Sequence, residues 1–388
     1  MIQYILLLII IIVFLIYIIL RVKFNFWAIQ PVFHTYDIHH WLNPAHVINT
    51  NLPNINKYVK PIDVETICIK EISQEERTLF VKFICENFQT KYSPDSDEIF
   101  PYFSTLDPSY LSVFLDDVFK STTTQLNYRG RDVIGLITSR PLFLTFQGKS
   151  PMNINYFDNL SIRADRNKKD IESVLIQTHH YNIRHINNKK NICLFKHEGI
   201  MKAIVPLTMY TTAEFNIIDI CGKTPICLRK IVKIDKKNFI QFKDMIKMWS
   251  SRFKCTLNID QSALYELINK DDIAVYMLIY ENNPIGCYVL RRNLRVVGET
   301  VKCIDLISAV DCSPNKELFF NGFQIVCKIE NKRRDITRIK IEGVCDNCQL
   351  LTDIQNRGIR TISSCPSNLF LYNYVSYTIT PGECLFIY

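Results

Sequence analysis

The chain has 388 residues, 48% hydrophobic and 22% charged, with 46 Lys and Arg against 38 Asp and Glu for a formal charge of +8. That balance excludes a disordered chain and a polytopic membrane protein, and it supplies apolar side chains for two or three packing units of ~150 residues. Only 11 glycines are present, and no basic block of about five or six residues, which argues against Gly-rich nucleotide loops and predicts no nucleic-acid partner.

Tyr4 to Leu20 carries no charge, Gly or Pro and is mostly Ile and Leu. A run with no polar face suits lipid better than a protein core. No basic leader or small-residue cleavage site accompanies it, so the expectation is an uncleaved transmembrane helix over residues 1–22. Arg21 and Lys23 then predict a single-pass membrane protein with its globular part on the cytosolic side. The 14 cysteines show no repeated short spacing and read as buried small hydrophobes of a reducing compartment. Cys345-Asp346-Asn347-Cys348 has no second pair, so a zinc ribbon is not indicated. His39-His40 and His179-His180 are adjacent pairs. Neighbours in sequence point to different helix faces, so neither reads as a chelate, and no metal is expected.

Residues 23–61 form an arm, with Pro44, Pro53 and Pro61 among asparagines. Ser73-Gln74-Glu75-Glu76 is a capping box leading a helix that turns Leu79, Phe80, Phe83, Ile84 and Phe88 inward. Asp107-Pro108 predicts a second helix with Leu111, Phe114, Leu115, Val118 and Phe119 inward. Strands follow at Val133 to Thr138, Leu142 to Phe146, split by Pro141, and Tyr156 to Ile162. A helix from about Asp170 to Asn187 comes next. The order then repeats. Helices run from about Lys237 to Phe253 and from Asp260 to Leu267. Strands run at Ile273 to Tyr280, Ile285 to Arg291 and Val301 to Val310. A helix follows from Pro314 to about Lys328. The fold class expected is α+β, in two fused halves, with helices packed on a mostly antiparallel mixed sheet. The halves are placed at 62–224 and 225–388, with a seam near residues 222–230.

Two stretches are unusual for a structural chain. Phe24-Asn25-Phe26-Trp27-Ala28-Ile29-Gln30-Pro31-Val32 packs aromatics beside an extended Gln-Pro, suited either to an interfacial belt or to lying along a ligand. Asn159-Leu160-Ser161-Ile162 runs into Arg166-Asn167-Lys168-Lys169 and a helix start. That arrangement gathers N–H groups, a positive helix end and cations, as a polyphosphate requires; the alternative is a solvated basic turn.

On these residues the chain resembles the protein N-myristoyltransferase family, which carries two fused GNAT-type acyltransferase folds. Phe26-Trp27-Ala28-Ile29-Gln30-Pro31-Val32 is similar to the family's F-W-x-T-Q-P-V. Asp158 to Ile162 resembles its N-F-L-C-V strand. Arg166 to Lys169, followed by Ile171-Glu172-Ser173, resembles its R-S-K-R-L-A-P phosphate loop, and Val174-Leu175-Ile176 its V-L-I. Val133 to Thr138 resembles L-V-G-F-I-S, and Leu371-Tyr372-Asn373-Tyr374 resembles Y-L-Y-N-W. The resemblance covers roughly residues 24–388. The peptide side matches less well: Ala203 to Phe215 has no good counterpart, and Gly343, in Glu342-Gly343-Val344-Cys345, falls where the family has an acidic residue.

The resemblance implies transfer of a long-chain acyl group from myristoyl-CoA or another long-chain acyl-CoA to proteins with an N-terminal glycine, by a monomer without a metal. It implies acyl-CoA contacts at Asn25, Phe26, Trp27, Gln30, Leu160, Ser161, Ile162, Arg166, Asn167, Lys168, Lys169 and Ile171. Backbone N–H groups of Asn159 and Leu160 would form the oxyanion hole. The base would be the α-carboxylate at Tyr388. Such a carboxyl has pKa ~3.5 against ~8 for the amine, so positioning and desolvation would have to narrow the gap. The other reading is a catalytically inactive descendant kept as a membrane-bound structural or binding protein.

Overall fold

The structure, a computed structural model, describes residues 2–23, 25–88, 92–94, 99–103, 107–116, 126–188, 191–222, 230–296 and 301–388. Helices α1 (Ile2–Lys23) and α2 (Ile38–Leu42) precede β1 (Val64–Cys68) and α3 (Gln74–Asn87). Strands β2 (Tyr92–Pro94), β3 (Tyr110–Asp116), β4 (Asn127–Tyr128), β5 (Arg131–Phe146) and β6 (Met152–Ile162) lead to α4 (Lys168–Ile186). Then come β7 (Cys193–Glu198), β8 (Thr208–Asn216), α5 (Ile217–Cys221), β9 (Lys230–Lys233), α6 (Phe239–Ser250), β10 (Cys255–Asn258) and α7 (Gln261–Lys270). The chain closes with β11 (Ile273–Tyr280), β12 (Asn283–Val296), β13 (Lys302–Asp311), α8 (Lys316–Arg334), β14 (Arg338–Glu342), α9 (Asn347–Asn356), β15 (Thr361–Tyr372) and β16 (Cys384–Ile387).

The strands form one sheet, in the order β1-β3-β5-β6-β7-β15-β8-β14-β13-β12-β11-β9, mostly antiparallel. Off that path β16 runs parallel to β10, and within it two neighbouring pairs are parallel, β6 with β7 and β13 with β14. Each is the β-α-β crossover that a connecting helix permits, here α4 and α8. β15 joins the two sides of the sheet, pairing with β7 on one edge and β8 on the other.

Local chemistry accounts for the elements that matched expectation. The Ser73 hydroxyl accepts from the Glu76 N–H while Glu76 accepts from the Ser73 N–H, which closes the capping box of α3. Asp260 accepts from the N–H groups of Ser262 and Ala263 and starts α7. A further element, not among the expectations, is the tight hairpin between β4 and β5, where Arg129 and Gly130 take the left-handed φ of 51° and 82° that such a turn needs.

Three expectations are corrected. First, among the described residues no helix is long and apolar enough to cross a membrane. The transmembrane helix at 1–22 is withdrawn, and with it the single-pass topology and the cytosolic placement that depended on it. Second, the helix expected after Asp107-Pro108 is the strand β3. Both its faces are covered, so Tyr110 to Leu115 are all buried and the apolar run mimics a helix face. Its expected continuation, Val118 and Phe119, lies outside the described residues.

Third, Pro141 does not divide two strands. The first part of β5 pairs with β3 as far as Ser139, and the last part pairs with β10 from Phe143 onward. Pro141 lies between those two partners, where a missing N–H costs no ladder bond. Most of the expected seam near residues 222–230 lies outside the described residues, as does Phe24.

Candidate active site

Leu136 of β5 lies opposite Ser161 of β6, and Thr138 lies opposite Asp158. Ile137 therefore faces two residues, Asn159 and Leu160, which makes a β-bulge. Asn159 takes φ 51°, a region that Asn tolerates better than most residues. Its Nδ2 donates to Thr138 Oγ1 at 3.1 Å. Its backbone N–H donates to Asp158 Oδ1 at 2.9 Å, so one of the two expected oxyanion donors is engaged. The register of β6 with β7 ends at Phe157, one residue before the bulge, and the two strands part there.

The helix α4 begins beside the same bulge. Gly135 of β5 allows this approach: a Cβ there would sit 2.7 Å from Leu175 Cδ1 and 3.1 Å from Ile171 Cγ2. Asn167 is the N-cap residue, but its side chain makes no cap hydrogen bond and donates instead to Asp170 Oδ2 at 2.8 Å. Lys168 and Lys169 are exposed on the first turn. Arg166 pairs with Asp116 at 2.8 Å, and Arg163 with Asp165 at 2.7 Å. Two of the loop's cations are thus tied back to carboxylates. Glu172, one turn on, has its carboxyl raised by burial, with the nearby charge of Lys168 pulling the other way.

Where β6 and β7 part, the arm covers the opening. Trp27 stacks on Phe195 of β7 at 5.1 Å between ring centroids, and Phe26 meets Tyr58 edge-on at 5.1 Å. Phe26, Trp27 and Leu160 pack against the buried cluster that holds Ile162 and Ile171. Ser161 is buried, its hydroxyl donating to the Asn159 carbonyl at 3.3 Å. Gln30 is buried as well. It accepts from the Tyr372 hydroxyl at 2.6 Å and donates to the Phe26 carbonyl at 3.3 Å, so it braces the arm from within. Asn25 lies on the surface and accepts from Lys57 Nζ at 3.0 Å.

The C-terminal segment meets this region from the other side of β5. β16 runs parallel to β10, and Ser308 of β13 donates to the Phe386 carbonyl at 2.5 Å. Tyr388 is buried, with its ring 5.3 Å from that of Tyr156. Burial pushes its phenol well above the ordinary range, with the Glu342 charge adding to that. Buried Arg140 links the two regions. Its guanidinium lies 3.9 Å from Asp158, the residue before the bulge, and 5.8 Å from the Tyr388 ring centroid.

Beyond Tyr388 lies a buried ionic cluster. Glu342 accepts from Lys196 Nζ at 2.9 Å and from the Tyr210 hydroxyl at 2.8 Å. Arg291 lies 3.7 Å from Glu342 and 2.8 Å from Asp305. Burial opposes ionisation of Glu342, but the charges of Lys196 and Arg291 outweigh it and hold the carboxyl at about 2. Burial likewise works against charge on Arg291, and Asp305 and Glu342 reverse it, raising that guanidinium further. Glu342 is thus a fixed negative charge near neutral pH and cannot take up a proton there.

No protein-family model matches the sequence, and neither does any curated protein. Solved structures do match. A Saccharomyces cerevisiae N-myristoyltransferase with bound myristoyl-CoA superposes with a TM-score of 0.70 at 13% identity, over 92% of this chain and 94% of that one. A second structure of that enzyme with myristoyl-CoA gives 0.67 at 12% identity, over 92% and 89%. A third, with myristoyl-CoA and inhibitors, gives 0.68 at 13% identity, over 92% and 91%. The chain has the N-myristoyltransferase fold.

Within that fold, five of the expected residues, Phe26, Trp27, Leu160, Ile162 and Ile171, share one apolar cluster beside the bulge. Asn25 is spent on a contact within the arm, and Gln30 on joining the arm to Tyr372 of β15. Tyr388 is linked to the bulge region through Arg140 and through the Tyr156 ring of β6. Sequence reasoning missed Arg140, Lys196, Tyr210, Arg291 and Asp305, and read Glu342 only as the neighbour of a replaced position. One signal was present: each of the charged residues among these lies inside a run that is otherwise strand-like and apolar. A charge there must be paired if it is buried.

Proposed function

We propose that this protein is an acyltransferase of the N-myristoyltransferase kind, moving a long-chain acyl group from acyl-CoA to the N-terminal glycine amine of a protein. The observation that carries the reading is the bulge at Asn159 and Leu160 beside the start of α4, where no side chain caps the helix. Such a pairing offers backbone donors to a thioester oxygen and a positive helix end with two exposed lysines to phosphates. In this reading Phe26, Trp27, Leu160, Ile162 and Ile171 border the acyl chain, and the half at 62–224 binds the donor. Ser161 keeps the bulge in shape through its bond to the Asn159 carbonyl, and Gln30 holds the arm in place. The half at 225–388 receives the acceptor.

The base is assigned to the α-carboxylate at Tyr388. Glu342 is the poorer candidate, because Lys196 and Arg291 lower its proton affinity and Lys196 and Tyr210 occupy its oxygens. It acts as a fixed charge toward an approaching ammonium. The ammonium loses one proton to the carboxylate, and the amine so formed attacks the thioester carbonyl; as the C–S bond breaks, the second proton on nitrogen passes to the departing sulfur, so that CoA leaves as the thiol. Two donors at the bulge would carry the oxyanion. For Asn159 this requires its N–H to leave Asp158.

That engaged N–H also favours the second reading, an inactive descendant that binds without transfer. The experiment is to titrate myristoyl-CoA into the full-length chain and add glycine-initiated peptides, comparing the protein with a version extended beyond Tyr388. Acyl-peptide formed by the first and not by the extended one, with binding equal, supports the mechanism. Equal turnover by both removes the base assignment. Binding without any product favours the inactive reading.

A further inference from the structure

The arm between residues 34 and 46 holds four of the eight histidines. His34 is occupied, with its Nε2 2.8 Å from the Trp27 carbonyl. The other three converge. Nδ1 of His39 lies 3.5 Å from Nδ1 of His40. Their ring centroids are 5.5 Å apart, His40 and His46 are 5.2 Å apart, and His39 and His46 are 6.3 Å apart. Asp37 stands behind His40. Its Oδ2 is 3.3 Å from His40 Nε2, and its Oδ1 accepts from the His40 backbone N–H at 3.3 Å. One oxygen caps the short helix and the other holds the far nitrogen of the ring, which leaves Nδ1 of His40 turned toward His39. One ligand atom from each of Asp37, His39 and His40 lies within 4.8 Å of the others.

These distances fit a shared cation. With metal–nitrogen bonds of ~2.0–2.1 Å and tetrahedral angles, two ligating nitrogens sit ~3.3 Å apart and their ring centroids ~5 Å apart. The His39–His40 and His40–His46 spacings are near those values; the His39–His46 spacing is wider, so His46 must move toward His39 to complete the site. Adjacent histidines do not chelate on a regular helix. Here the helix is only five residues long, and the two rings nevertheless bring Nδ1 to within 3.5 Å of Nδ1. We infer that His39, His40 and His46 form a binding site for a zinc-class divalent cation, with Asp37 orienting His40 from behind. Imidazoles backed by a carboxylate select zinc-class ions over magnesium or calcium.

The site would act as a clip. Residues 45–47 already pair with the C-terminal region. The Ala45 N–H donates to the Val375 carbonyl at 2.9 Å, the Val375 N–H donates to the His46 carbonyl at 2.9 Å, and Val47 bridges Tyr374. A cation joining His46 to His39 and His40 would fasten α2 to that pairing.

The test is calorimetric titration of Zn2+ into the full-length, reduced chain, beside His39→Gln, His46→Gln and Asp37→Asn, with His185→Gln as a control outside the cluster. Cobalt spectra of the same set identify the ligand type. The expected result is one site, lost in the two histidine variants, weakened about 10-fold or more in Asp37→Asn and unchanged in His185→Gln. His39 is exposed, so His39→Gln is expected to keep its fold, and an unaltered circular dichroism spectrum checks this. No binding to the parent chain overturns the proposal. So does equal binding by His39→Gln, or a cobalt spectrum showing thiolate ligands.

Discussion

The Tyr372 hydroxyl donates to Gln30 Oε1 at 2.6 Å, across 342 positions of sequence, and both side chains are buried. The Asn373 N–H donates to the Pro31 carbonyl, and Val32 bridges Tyr372. The Gln-Pro-Val and Leu-Tyr-Asn-Tyr segments are therefore the two halves of one joint. Tyr372→Phe leaves Gln30 Oε1 buried without that donor and should cost about 1–2 kcal/mol. Urea unfolding measures it, and limited proteolysis should show earlier cleavage in residues 25–60. Tyr377→Phe, which removes an exposed hydroxyl bonded to the Trp41 carbonyl, should cost much less. Equal effects would remove the special role of the joint.

Glu342→Gln should destabilise the protein by about 3–5 kcal/mol, because Lys196 and Arg291 lose a buried counter-charge. The folded-state carboxyl lies at about 2, below its usual value of 4.5. Its contribution is fully present above the unfolded value and is lost as pH falls from about 4.5 toward 2. The variant should therefore show a shallower acid limb in that window. A loss below about 1 kcal/mol at neutral pH would mean that the cluster is poorly coupled.

Lys168→Ala combined with Lys169→Ala should weaken CoA binding about 10-fold at low salt, with the difference shrinking as salt rises. Both side chains are exposed, so the melting temperature should stay within about a degree of the parent's. Unchanged CoA affinity at low salt would detach the helix start from the proposed phosphate site.

His179 and His180 are buried on α4, and burial lowers both to about 3, with neighbouring positive charge adding to it. The folded values lie below the unfolded one of ~6.5. Stability is therefore complete above about pH 6.5 and falls as pH drops toward 3, by about 1.4 kcal/mol per pH unit for each ring. His180 packs on the Tyr372 ring at 4.6 Å between centroids, and no hydrogen-bond partner for its ring nitrogens is found among the described residues. His180→Phe should keep that packing and roughly halve the slope between pH 6 and 5, read from urea midpoints. An unchanged slope would place the acid sensitivity elsewhere.

Local signals were legible wherever a short stretch supplies its own hydrogen bonds or period. Ser73 and Glu76 fixed the start of α3, Asp260 that of α7, and the helix expected from about Lys237 to Phe253 is α6, Phe239–Ser250. The motif resemblance carried the fold, because its segments recur in order along most of the chain. Sequence could not place β3, since a strand buried on both faces loses the alternation that marks strands. It could not see that Pro141 falls in a gap between two partner strands, because the partner β10 lies more than a hundred residues away.

The bulge, the joint of Gln30 with Tyr372, the Arg140 link and the Glu342 cluster were all decided by tertiary structure. Each depends on pairing or burial between residues distant in sequence, and burial sets what a charge can do. Glu342 alone is an ordinary acid. Enclosed with Lys196, Tyr210 and Arg291, its carboxyl is held well below the ordinary range. The histidines show the same division. Their adjacency is written in the chain, but the 3.5 Å between Nδ1 of His39 and Nδ1 of His40, and the approach of His46, whose carbonyl accepts from the Val375 N–H, are set by the tertiary structure.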